Sequence, residues 1–143
     1  MFEKLYLLVK NNAGTAVMDN PAIQEKDREA VLNDASSSII EVLKGQVEGG
    51  KLKDLVNYFQ FTGLVNNPLI SNAVRKFANK LNNFYRIEPA AAMNIAKALI
   101  TPVMQEIIKE SKSEQNKEFA LSSLIQKLSG NRADALLKQL AVA

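Results

Sequence analysis

The chain has 143 residues, 47% hydrophobic and 23% charged, with 18 basic and 15 acidic side chains and a formal net charge of +3. This is the usage of one soluble globular domain, long enough to bury about 68% of its unfolded surface without covalent staples. His, Cys and Trp are absent, which excludes zinc and haem sites, redox dithiols and histidine-activated nucleophiles.

Helical periodicity runs through the sequence, and no stretch alternates apolar and polar residues as a half-buried strand does. The predicted class is all-α, a single bundle-like domain over residues 1–143, with an N-terminal helix and loop over 1–20 and a helical core over 21–143. The first helix, about 2–13, repeats Phe2, Leu5, Leu8 and Val9 and loosens at Gly14. Its Leu5–Val9 run is shorter than a signal peptide requires, so no cleaved leader is expected. A loop with Asp19, Asn20 and Pro21 precedes a long helix from about Gln24, whose face carries Val31, Leu32, Ala35, Ile39, Leu43 and Val47. Gly49 and Gly50 end it, glycine being the residue that tolerates a left-handed cap.

A short helix over 52–61 and a turn at Asn66, Asn67 and Pro68 lead into a helix over 69–85. All of this lies around the longest uncharged stretch, Leu55–Val74, which Asn57, Gln60, Thr62, Asn66, Asn67 and Pro68 interrupt too often for a membrane span. The next helix opens on Pro89, and its row Met93, Ala96, Leu99, Ile100, Val103, Met104, Ile107 and Ile108 contains Pro102, so a kink or break is expected near Thr101. After a polar loop over 111–116, an αα-hairpin over 117–129 and 132–141 turns at Gly130 and Asn131. The total is six or seven helices.

A shift of 64 residues places Ile23 on Ile87, Val31 on Ile95, Ala35 on Leu99, Ile39 on Val103, Ile40 on Met104 and Leu43 on Ile107. Five further residues of connection bring Leu55 onto Leu124 and Phe59 onto Leu128, with Gly63 two residues from Gly130. The pattern points to an internal duplication of long helix, connection and short helix.

The segment Ile87-Glu88-Pro89-Ala90-Ala91-Ala92, continuing through Ala96 to Pro102, resembles a recurring element of the YidB-like bacterial family, a domain of unknown function. The stretches 35–40 and 128–137 are similar to it in kind, giving a coverage of about 20–143. The resemblance implies a multihelical bacterial domain and carries no catalytic residues.

Charge is uneven along the chain. Residues 1–50 hold five basic and eight acidic side chains, and residues 51–100 hold seven basic and two acidic. On the helix over 69–85, Arg75, Lys76, Asn79, Lys80 and Asn83 share one side, opposite Val74, Phe77, Leu81, Phe84 and Tyr85. Arg75, Lys76, Asn79, Lys80 and, just beyond, Arg86 form a candidate polyanion contact, since these side chains hold phosphates and read base edges. The turn over 62–68 is longer than that of a helix-turn-helix. Ser36, Ser37 and Ser38 form a hydroxyl cluster with no Ser-x-x-Lys to activate it, and read as small residues for close helix packing. Glu106, Glu110, Glu114 and Glu118 alternate with lysines and read as a solvated face.

The aromatic and apolar cluster in 55–74 exceeds what one buried face holds, which makes Tyr58, Phe61, Leu64 and Val65 a candidate partner surface. The resulting expectation is a non-catalytic protein-interaction module that binds a protein partner or itself, with no cofactor, no metal and a cytoplasmic location consistent with the lack of cysteine. The alternative is anion or nucleic-acid binding through the basic helix.

Overall fold

The computed structural model of the chain describes residues 2–49, 54–55, 57–58 and 67–111. Among the described residues all regular structure is helical and no strand occurs. Helix α1 spans Phe2–Asn11, α2 Arg28–Glu48, α3 Pro68–Tyr85 and α4 Pro89–Ser111, and residues 54, 55, 57 and 58 are helical as well. These are five helices, in the order of the first five predicted; the predicted pair over 117–129 and 132–141 lies outside the described residues. No helix among the described residues is long and apolar enough to cross a membrane.

After α1 the chain widens instead of loosening. Gly14–Met18 form a π-helical turn in which the Met18 and Asp19 amides donate to the Ala13 and Gly14 carbonyls, and it buries Ala16 and Val17. Asn20 closes the segment: its Nδ2 donates to the Ala16 carbonyl at 3.0 Å and its Oδ1 accepts from the Ala22 amide at 2.9 Å. A 3-10 turn over Glu25–Asp27 then leads into α2.

The stop at Gly49 has a different cause from the one expected. Its φ is −79°, outside the left-handed region, and a Cβ there would stand 2.8 Å from the Gly45 carbonyl oxygen. Close approach to backbone, and not handedness, demands glycine. The left-handed cap belongs to Arg86, φ 55°, at the end of α3. There the Ile87 amide reaches the Leu81 carbonyl at 3.3 Å, and Asn82 Nδ2 donates to the Ile87 carbonyl at 2.9 Å.

Helix α3 begins where its sequence dictates. Buried Asn67 accepts from the Leu69 amide at 3.0 Å and donates to the Tyr58 carbonyl at 2.8 Å, and Pro68 follows in the first turn. Helix α4 runs unbroken through Pro102. The break expected near Thr101 does not occur, because Leu99, Ile100, Val103 and Met104 on either side are fully buried and hold the two halves in one packed row. Helices α3 and α4 form a hairpin joined by residues 86–88, α2 packs on α3, and α1, α2 and the π turn all reach α4. One hydrophobic core results.

The 64-residue shift reappears in the burial pattern, and it reaches further back than Ile23. Leu5 and Leu69, Val9 and Ala73, Ala13 and Phe77, Val17 and Leu81 are all buried, as are Ile23 and Ile87, Val31 and Ile95, Ala35 and Leu99, Ile39 and Val103, Leu43 and Ile107, whereas Ile40 is only half-buried opposite fully buried Met104. The 3-10 turn Glu25–Asp27 falls on the first turn of α4. The later pairs, which involve Phe59, Leu124 and Leu128, lie outside the described residues.

A left-handed arginine carries a steric cost of about 1–2 kcal/mol that glycine escapes. Arg86→Gly is therefore expected to raise the unfolding free energy by about 0.5–1 kcal/mol in urea titrations, part of the relief being offset by the freer unfolded chain. A loss of stability would show that the arginine side chain, and not the backbone, holds the cap.

Candidate functional site

The apolar side of α3 is buried as its spacing predicts at Val74, Phe77 and Leu81, and Tyr85 is half-buried. Phe84 departs from the expectation and is 64% exposed. It sits at the margin of the apolar sector in the last turn, where the chain turns away at Arg86. Its ring meets Tyr85 edge-on, with centroids 6.4 Å apart.

Tertiary contacts divide the predicted basic face into two groups. Lys76 and Lys80 turn toward α2, where Glu41 Oε2 lies 3.6 Å from Lys76 Nζ and 3.1 Å from Lys80 Nζ. Lys80 also donates to Glu41 Oε1 at 3.2 Å and to Ser37 Oγ at 3.1 Å, and its side chain is only 16% exposed. Lys80 is thus held within the fold by one carboxylate and one hydroxyl. Arg75, Lys76, Asn79 and Arg86 remain exposed, with Arg86 also occupying the cap.

The same contact bears on the serine cluster. Lys80 meets Ser37 as a donor to its hydroxyl, so it does not take that proton as a general base would. Ser37 and Ser38 hydroxyls donate to the Asp34 carbonyl at 3.2 and 2.6 Å, and Ser36 donates to the Leu32 carbonyl at 3.1 Å. These bonds return the hydroxyls to their own helix, where buried Ser36 and Ser38 act as small packing residues.

Arg75 belongs to another constellation. An open groove of about 440 Å³ between α3 and α4 is lined by Ile70, Ser71, Val74 and Arg75 from one helix and Met93, Lys97 and Thr101 from the other. Spacings of four residues align each row along its helix. Arg75 and Lys97 are exposed, neither has an ion pair among the described residues, and no described carboxylate lines the groove. The arrangement offers two cations and two hydroxyls above an apolar floor, which suits an acidic group attached to an apolar one. Among the described residues no three His, Cys, Asp or Glu side chains converge as metal ligands would.

Lys97 was legible in principle, since it is the lone charge between Glu88 and Glu106. The apolar periodicity of α4 marks the opposite face, and spacing alone does not single Lys97 out. Of the predicted partner surface, Tyr58 is half-buried against the core and its carbonyl is taken by Asn67. Phe61, Leu64 and Val65 lie outside the described residues, as do Glu114 and Glu118.

Tyr85 ties the end of α3 to α2 through its hydroxyl, which donates to Asp34 Oδ2 at 2.5 Å. Burial, followed by the hydrogen bond and the negative charge of Asp34, pushes the phenol well above the ordinary tyrosine range. A raised value in the fold means that this contact contributes fully below about pH 10, where unfolded tyrosine titrates, and loses its contribution as pH rises beyond. Tyr85→Phe should cost about 1 kcal/mol at pH 7, and the difference from the parent chain should shrink in urea titrations above pH 10. A difference that is constant with pH would refute the link.

No protein-family profile, curated protein or solved structure matches this chain.

Proposed function

We propose that the chain is a non-catalytic interaction module that receives an acidic, apolar-bearing protein segment in the α3–α4 groove. The observation that carries this reading is the pair of exposed cations, Arg75 and Lys97, above Ile70, Val74 and Met93, while neighbouring Lys80 is already held by Glu41. A chain without His or Cys, whose Ser37–Lys80 pair is engaged with Glu41, supports binding over catalysis.

In the same reading the domain is a tandem of two helical units 64 residues apart, completed to six or seven helices by the predicted hairpin over 117–129 and 132–141. Phe61, Leu64 and Val65 extend the contact surface, the location is cytoplasmic, and the likeness to the YidB-like family rests on the segments that carry it. The polyanion alternative keeps Arg75, Lys76, Asn79 and Arg86. It is weakened by the engagement of Lys80 with Glu41 and Ser37, because affinity for nucleic acid grows with the number of phosphates neutralised.

The test is an amide NMR titration of the labelled protein, in low and high salt, with a helical peptide carrying Glu and Leu one turn apart and separately with a short DNA duplex. The peptide is expected to shift Ser71, Arg75, Met93 and Lys97, with weaker binding in high salt and none in the Arg75→Glu/Lys97→Glu variant. Shifts confined to Arg75–Arg86 with DNA, and an unmoved groove with the peptide, would replace this reading by the polyanion one.

A further inference from the structure

We infer that the partner received by the α3–α4 groove is a second copy of this chain, which docks its α1–α2 face there head to tail. This inference rests on the reading of that groove as a protein-binding surface, and it names the occupant.

A second groove, of about 410 Å³, lies between α1 and α2 and is lined by Glu3, Tyr6, Leu7, Glu29 and Asn33. Shifting these positions by 64 residues places Tyr6 on Ile70, Leu7 on Ser71, Glu29 on Met93 and Asn33 on Lys97. Four lining residues of one groove thus land on four of the other, so the two surfaces occupy equivalent places in the two halves.

Their chemistry is opposite. The charged residues lining the first are Glu3 and Glu29, and those lining the second are Arg75 and Lys97. Leu7 is a large apolar side chain left 54% exposed, and it stands where the second half has the small Ser71. One surface therefore carries an exposed apolar side chain beside two carboxylates, and the other an apolar lining beside two cations. Glu3 and Leu7 are one turn apart on α1, the same stride that separates Ser71 from Arg75 and Met93 from Lys97. Docking Leu7 over Ile70, Val74 and Met93 carries Glu3 and Glu29 to the cationic rim. Lys10 lies a turn beyond Leu7 and is not part of the lining.

Because donor face and acceptor groove are different surfaces of one chain, the contact is heterologous and repeats from copy to copy into a ring or an open chain. One apolar anchor and a few rim charges make a small, transient interface, dependent on ionic strength.

Sedimentation velocity of the full chain tests this with two variants, Glu3→Gln/Leu7→Ser/Glu29→Gln for the face and Arg75→Glu/Lys97→Glu for the groove. All five positions are exposed, and circular dichroism verifies that each variant folds. The parent chain is expected to gain mass with concentration at low salt and to lose it at high salt. Each variant alone should remain monomeric, and an equimolar mixture should stop at the dimer, since it holds one intact face and one intact groove. A parent chain that stays monomeric at every concentration, or variants that associate as the parent does, would overturn the inference. If the parent chain is monomeric yet the Glu/Leu peptide still binds the groove, the occupant is wrong and the binding reading stands; if the peptide also fails, both fall.

Discussion

Burial of α4 along most of its length is the constraint on which the rest of the fold depends. Ala92, Ala96, Leu99, Ile100, Val103, Met104, Ile107 and Ile108 are all withdrawn from water, and α1, α2, α3 and the π turn each pack against this helix. An interior proline costs a helix about 3 kcal/mol through a lost hydrogen bond and a clash with the preceding turn. Each large aliphatic side chain buried beside Pro102 contributes about 1.5–3 kcal/mol. The packed row therefore outweighs the proline, and the helix continues to Ser111.

A helix surrounded in this way leaves little polar surface on the inner elements, so polar side chains are pressed to the seams between helices. At the α2–α3 seam, Glu41 gathers Lys76 and Lys80, Ser37 accepts from Lys80, and Asp34 takes the Tyr85 hydroxyl. The ion pairs are partly exposed, so their net contribution to stability is modest, about 0.2–1 kcal/mol each. Lys80 is drawn into the seam by these contacts, whereas Lys76 stays exposed beside the shared carboxylate. At the α3–α4 seam no described acidic residue plays that part, and Arg75 and Lys97 stay available.

Positions 64 residues apart are buried together at many core sites and differ at exposed ones. Core positions such as Leu5 and Leu69, or Ile39 and Val103, keep the same inward role. Outward positions are free of packing and diverge, as Leu7 and Ser71 or Asn33 and Lys97 do. Two grooves of similar size and opposite lining charge result, one between α1 and α2 and the other between α3 and α4.

What the sequence by itself determined follows from local periodicity. The inward faces of α2 and α3 and the Asn67–Pro68 start of α3 depend on spacing within one helix. What only the tertiary structure decided depends on which helices meet. Nothing near Lys80 in the chain announces Glu41, 39 residues away, and nothing in the 3.6-residue period tells a cation at a packed seam from one beside an open groove. Arg86 adopts a left-handed cap without a glycine to signal it, because Ile87 must turn inward to reach the core. Gly49 is required by the approach of Gly45, a distance that composition does not encode. Helix faces are written in short-range order, whereas the pairing of charges across faces is fixed only when the faces are brought together.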